Sequence, residues 1–68
     1  MKAREVNRVL ERLGAQVVRQ SASHRIYEKD GCRTMVAQHG GRDIPTGTLH
    51  TIERQMEPVF GKGWLIKR

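Results

Sequence analysis

The chain has 68 residues and a mass of 7.8 kDa, which allows one small domain with a thin core and argues against multidomain enzymes, cofactor enzymes and transporters. Lys and Arg outnumber Asp and Glu by 13 to 7, and this net charge of +6 favours a polyanionic partner, with nucleic acid first. One cysteine, Cys32, and no apolar run of membrane length predict a cytoplasmic protein that does not enter a membrane.

Residues 3 to 13 are predicted to form the first helix, which Gly14 ends. Its apolar residues recur at i, i+3, i+4 and i+7 and form one stripe: Val6, Val9, Leu10 and Leu13. Arg4, Arg8 and Arg12 repeat every four residues on another face. Two interpretations of that basic face stay open, a solvated helix surface and a stripe that faces phosphates.

Three strands are predicted next, over residues 15–20, 24–29 and 32–38. A small polar turn, 21–23, joins the first two strands, and Asp30-Gly31 is a strong signal for a tight hairpin between the last two.

The register of that hairpin has two solutions. A two-residue turn pairs Ile26 with Met35, whereas a three-residue loop with a glycine bulge pairs Ile26 with Thr34. In both cases the alternation of side chains puts His24 and Tyr27 on opposite faces. Because Tyr27 has the larger apolar side chain, we expect its face of the sheet to pack against the core and His24 to lie on the open face.

The second half of the chain is predicted to hold a loop, 39–43, and a helix that begins at Pro45 or Thr46. One face of this helix is apolar, with Leu49, Ile52, Met56 and Val59. Pro58 is expected to end or kink the helix.

Residues 57–68 are treated as a tail beyond a domain of residues 1–56. The apolar triplet Trp64-Leu65-Ile66 in this tail packs back on the domain, adds a short strand or meets a partner, and the sequence leaves these three open.

The predicted order is α-β-β-β-α, an α+β fold. A three-stranded antiparallel sheet would carry both helices on one face and leave the other face open, which is the arrangement of double-stranded-RNA-binding domains.

Histidine is the side chain best suited to proton transfer near neutral pH, and the chain has His24, His39 and His50. A histidine at a strand edge is more often an ordinary surface residue, but this layout brings His24 and His39 to one end of the sheet. Cys32, His39 and His50 match no compact zinc spacing, so no metal site is predicted. Ser23 beside His24 is not expected to form a nucleophile–base pair, because neighbouring strand residues point to opposite faces.

A set of motifs within residues 1–56 has the spacing of a known family, and the most specific of them is Asp43-Ile44-Pro45-x-Gly47-Thr48-Leu49. The others are Lys2-x-Arg4-Glu5-Val6, Leu10, Gly14, Ser23-His24, Tyr27, His39, Ile52 and Gln55. In these residues the chain resembles the HicA (YcfA-type) family of toxin ribonucleases, the toxin half of the type II HicA–HicB toxin–antitoxin modules.

This resemblance implies a double-stranded-RNA-binding-like fold and an enzyme, an mRNA interferase, that cuts mRNA without a metal or a cofactor. The family uses the histidine of a Gly-Ser-His motif, which falls on His24, and is held inactive by a HicB antitoxin. The chain departs from the family in three places: Ala22 stands where Gly usually precedes Ser-His, Ala15 replaces a common Trp and Gln38 a common Pro.

An endoribonuclease of this kind would use His24 as general acid or base, and the sequence leaves that choice open. Accessory or RNA-binding roles are predicted for five further residues: His39, Arg25, Arg42, Arg4 and Arg8. The predicted partners are mRNA and a HicB-like antitoxin that places acidic groups near His24, Arg25 and Arg42. Two alternatives remain, an RNA-binding module without catalysis and a protein whose basic face docks an acidic partner.

Overall fold

The predicted element order is confirmed in a computed structural model that describes residues 1–66. The elements are α1 (Ala3–Arg12), β1 (Gln16–Gln20), β2 (His24–Lys29), β3 (Cys32–Ala37) and α2 (Thr46–Phe60). The strands form one antiparallel sheet in the order β1-β2-β3, so the strand that begins with His24 is the central one.

The hairpin between β2 and β3 has the two-residue turn, and Ile26 lies opposite Met35. The turn residues Asp30 and Gly31 both have positive φ, at 48° and 84°. Positive φ at both central positions is what a type I′ turn requires, and Asp-Gly tolerates it at little cost. Of the two registers that the sequence left open, the tight turn is therefore the one adopted.

The pairing of β1 with β2 contains a β-bulge that the alternation in the sequence did not predict. Val17 lies opposite Tyr27, but it is Arg19 that lies opposite the next residue, Ile26, so Val18 is an extra residue in β1. The bulge reverses the faces of all residues that follow it in the strand.

Both helices cover the same face of the sheet, and the core lies between them and β2–β3. Its fully buried side chains come from α1, the two covered strands and α2: Val6, Leu10, Tyr27, Val36, Ile52 and Met56. The helices contact mainly β3, while every residue of β1 is exposed. Within residues 1–66 the opposite face of the sheet carries no helix, as predicted.

Pro58 does not end the second helix, which was one of the two effects predicted for it, because α2 runs through it to Phe60. Pro58 lies in the last turn of the helix, where it deprives only one carbonyl of its hydrogen-bond donor. The helix ends instead at Gly61, which has a positive φ of 84° and donates its N–H to the Glu57 carbonyl at 2.8 Å.

The tail packs back on the domain, one of the three placements that the sequence left open. The Glu53 carboxylate accepts the backbone N–H of Ile66 at 2.7 Å and that of Leu65 at 3.3 Å, and its main-chain carbonyl accepts the Trp64 indole N–H at 2.7 Å. Leu65 joins the core with only 7% of its surface exposed. The sequence-based boundary after residue 56 thus falls inside α2, and residues 67 and 68 of the predicted tail lie outside the described part of the chain.

Candidate active site

The open face of the sheet holds a shallow cleft at the end where β2 begins. Alternate residues of the central strand, His24 and Ile26, face it, whereas Tyr27 faces the core, as predicted. The cleft has a volume of about 190 Å³ and is lined by Arg19, Gln20, Ser21, His24, Ile26 and Met35. A cleft of this size is smaller than the roughly 300–1,000 Å³ of a pocket that encloses a small molecule. It is open enough for a segment of a polymer to lie across it.

The turn before β2 fixes the backbone of His24. The Ser21 hydroxyl accepts the His24 N–H at 3.2 Å, and the Ser21 N–H donates to the His24 carbonyl at 2.9 Å. Small hydroxyl side chains suit this position because they satisfy backbone groups that a turn leaves unpaired. His24 itself is half-buried and lies opposite Ala37, whose small side chain leaves room for the ring.

The Ser23 hydroxyl contacts the His24 ring, with 3.0 Å between Oγ and Nδ1. The prediction that these two side chains point apart is wrong, because Ser23 belongs to the turn and does not follow the alternation of the strand. Its carbonyl accepts the Gln38 N–H at 2.7 Å, which holds the turn against the end of β3. With Nδ1 engaged, Nε2 is the ring nitrogen left for a ligand, and the direction of the Ser23–His24 hydrogen bond sets whether Nε2 carries a proton.

His39 and Arg42 lie in the loop that follows β3. Ala37 pairs with His24, so His39, two residues further on, lies near the same end of the sheet. It is exposed and does not line the cleft, and its carbonyl accepts the Arg42 N–H at 3.2 Å within a turn of the loop.

Contacts with the beginning of the chain hold this loop in place. Gln38 and the buried Asn7 of α1 exchange side-chain hydrogen bonds at 2.8 and 3.2 Å. The Lys2 ammonium donates to the Gly41 carbonyl at 2.7 Å. The glutamine that departs from the family pattern thus forms part of the α1–loop contact.

Arg25 does not share the face of His24. Its guanidinium lies on the helix-covered side, 3.9 Å from the Glu11 carboxylate, and its Nε is buried without a hydrogen-bond partner among residues 1–66. Arg4 and Arg8 are exposed on α1, in the helical layer. The structure therefore brings none of these three arginines into the cleft.

Arg19 is the cation that the structure brings to the cleft, and it is not among the site residues predicted from the sequence. It is exposed and forms no ion pair with the described residues. No glycine or proline in β1 marks the bulge at Val18, and a regular strand would turn Arg19 to the other face.

The helix-covered side of β2 holds a polar contact of its own. The Tyr27 hydroxyl donates to the Glu11 carboxylate at 2.8 Å. Burial raises the pKa of Tyr27 above its usual value of 10.0, and the bond to the negatively charged Glu11 raises it further. This contact ties the end of α1 to the central strand, directly behind the candidate site.

Within residues 1–66 no three side chains of His, Cys, Asp or Glu come close enough together to hold a metal ion. In the same part of the chain, neither helix combines the length and the apolar character needed to cross a membrane.

A family model described as the HicA toxin of bacterial toxin–antitoxin systems matches residues 3–57. The match begins with α1 and extends into the last turn of α2, so it contains all three strands and His24. No curated protein and no solved structure matches the chain.

Proposed function

Because the chain belongs to the HicA toxin family of bacterial toxin–antitoxin systems, we propose that it acts as an endoribonuclease that cleaves mRNA, with His24 as the catalytic residue. The observation that supports this proposal most directly is the state of His24: its ring is fixed at Nδ1 by Ser23 while it lines an open cleft. A histidine whose ring is held at one nitrogen and borders an open cleft is suited to proton transfer to a bound substrate.

The reaction follows from the chemistry of RNA. The 2′-oxygen forms a bond to the adjacent phosphorus, the bond from phosphorus to the 5′-oxygen breaks, and the products are a 2′,3′-cyclic phosphate and a 5′-hydroxyl. One proton leaves the 2′-hydroxyl and one arrives on the 5′-oxygen. His24 transfers one of these protons and water the other, so RNA supplies the nucleophile and Ser23 is not needed as one.

The shape and the charge of the chain suit such a substrate. The net charge of +6 attracts a phosphate backbone, and the uncovered sheet face lets an extended strand approach His24. A single proton-transfer group contributes about 10²–10⁴-fold in rate, so the enzyme is expected to be slow.

Incubation of the purified protein with RNA in EDTA tests the proposal, since the 2′-hydroxyl route needs no divalent metal. The matched control is the same sequence with 2′-O-methyl groups, which cannot attack. We expect cleavage of the RNA alone, with cyclic-phosphate ends identified by mass spectrometry. Cleavage of the 2′-O-methyl RNA as well as the unmodified RNA would contradict the mechanism. Activity that is lost in EDTA and restored only by magnesium or zinc would contradict it too. Binding without cleavage would favour the RNA-binding module instead.

The partner that we propose is a HicB-like antitoxin that covers the His24 face with acidic groups. The basic charge of the toxin and the open cleft support it. Co-expression with such an antitoxin should give a complex in which diethyl pyrocarbonate no longer modifies His24. A complex in which His24 reacts as fast as in the free toxin would show that inhibition acts at a distance from the site.

A further inference from the structure

The bulge in β1 determines which face Arg19 occupies. Val17 pairs with Tyr27, so in a regular ladder Val18 would lie opposite Ile26 and Arg19 would lie opposite Arg25, on the helix-covered face. The extra residue shifts the register by one, and Arg19 instead lies opposite Ile26. Bulges are common beside active sites, where they redirect a side chain.

The regular register would also be unfavourable for the helix-covered side. It would set Arg19 against Arg25, whose Nε is already buried without a partner among the described residues. Like charges directly opposite each other destabilise a sheet, and a second guanidinium beside a partly buried one would lack a carboxylate of its own. The bulge thus removes a repulsive pair and delivers a cation to the open face.

On the open face the surroundings of Arg19 differ from those of Arg33. Arg33 lies toward the other end of the same face, where its guanidinium is neutralised by Glu28 at 2.6 Å. Arg19 lines the cleft with His24 and has no carboxylate partner in residues 1–66. Its charge remains available to an anion that enters the cleft.

We infer that Arg19 binds the substrate phosphate next to His24, so that the cleft holds a phosphate subsite made by β1 and the proton-transfer group made by β2. This inference rests on the proposed function and adds the residue that neutralises the reacting phosphodiester. A guanidinium presents two parallel N–H donors to two phosphate oxygens, and the negative charge on those oxygens grows as the pentacoordinate phosphorus forms. Arg19 therefore contributes to both RNA binding and catalysis.

A purely structural role for Arg19 makes a different prediction. Charged side chains on exposed edge strands discourage association between sheets, and lysine serves that purpose at least as well as arginine. If Arg19 only protected the edge of β1, Arg19→Lys would leave RNA cleavage and RNA binding unchanged. A phosphate-binding guanidinium loses its paired donors in the same variant.

Arg19→Gln and Arg19→Lys test the inference, with Arg54→Gln as the matched control. Arg54 is an exposed arginine of α2 that forms no ion pair within residues 1–66, so its variant removes the same charge away from the cleft. We expect Arg19→Gln to lower kcat/KM for RNA cleavage about 10- to 100-fold, somewhat less than the loss of a fully buried donor, and Arg19→Lys to recover only part of it. Arg54→Gln should change it about threefold or less. Circular dichroism and the melting temperature should stay unchanged, because Arg19 is exposed.

Binding of 2′-O-methyl RNA, measured in the same variants, separates failure of the inference from failure of the proposed function. If wild type cleaves RNA and Arg19→Gln behaves like Arg54→Gln in cleavage and binding, the phosphate subsite is wrong and the proposed function stands. If wild type does not cleave, the proposed function fails and binding decides the inference. A larger loss of binding in Arg19→Gln than in Arg54→Gln then supports the phosphate contact, and an equal loss overturns it.

Discussion

The two faces of the sheet use the same strands for different purposes. On the helix-covered face, Tyr27 and Thr34 are almost fully buried and each donates a side-chain hydrogen bond to a helix, to Glu11 and Gln55, both at 2.8 Å. On the open face, Met35 keeps 54% of its surface exposed beside the cleft. The covered face determines the stability of the fold, and the open face is the one on which we propose that RNA binds. Substitutions on one face should therefore leave the property of the other unchanged.

The largest expected effect belongs to His24→Ala, which should lower RNA cleavage about 10²–10⁴-fold, or about 3–5 kcal/mol in activation free energy. The free energy of unfolding should change by less than about 0.5 kcal/mol, because the ring lies at the open face and not in the core. Single-turnover cleavage and urea denaturation measure the two quantities. A large loss of stability with retained cleavage would show that His24 has a structural role and not a catalytic one.

Glu53→Ala should have the next largest effect, this time on stability. The substitution leaves the backbone N–H groups of Leu65 and Ile66 without their acceptor, at a cost of about 1–3 kcal/mol. The matched control is Glu57→Ala, one turn further along α2, where the side chain has no such role. Trp64 is the single tryptophan of the chain, so its fluorescence reports release of the tail. Equal stability of the two variants would contradict the anchoring role of Glu53.

Tyr27→Phe should cost about 1 kcal/mol of stability, the net value of a typical hydrogen bond, because the acceptor Glu11 keeps 55% of its side chain exposed to water. The substitution should not slow RNA cleavage. The raised pKa of Tyr27 adds a pH dependence. Tyrosine in the unfolded chain loses its proton near pH 10, before folded Tyr27 does, so this contribution is complete below about pH 10 and declines as the pH rises above it. Between pH 8 and 11 the free energy of unfolding should fall more steeply in wild type than in Tyr27→Phe. An equal fall in the two proteins would contradict the raised pKa of Tyr27.

Met35→Gln should have the smallest effect, a change of less than about 0.5 kcal/mol in unfolding free energy, because the side chain is already more than half in water. It lies opposite Ile26 at the floor of the cleft, so the variant also tests whether an apolar floor matters for RNA binding. Destabilisation by more than about 1 kcal/mol would show that the open face contributes to the core after all.

The features that the sequence predicted are those with a local physical origin. The Asp30-Gly31 turn, the alternation that separates His24 from Tyr27 and the apolar stripe of α1 each depend on residues close together in the chain. The sequence left the hairpin register open between two turn geometries, and the positive φ values of Asp30 and Gly31 decide it. The role of His24 in catalysis stays a prediction.

The features that were missed depend on contacts between distant parts of the chain. The bulge that turns Arg19 to the cleft has no glycine or proline to mark it, and it follows from which residues of β1 and β2 pair. Arg25 was grouped with His24 because it is its neighbour in sequence, yet the same alternation that frees His24 turns Arg25 toward Glu11. The position of Leu65 in the core depends on a carboxylate twelve residues away in α2.

The anchoring of Leu65 by Glu53 also has a consequence for synthesis on the ribosome. Translation produces the chain from its amino end at about 5–20 residues per second, and all three strands with the histidine-bearing cleft are made before α2 and the segment that seals the core. A nascent chain that has not yet reached Leu65 contains every residue that lines the cleft but lacks a residue of the hydrophobic core. Chains that terminate before Leu65 should therefore be degraded faster by cellular proteases than chains that contain it.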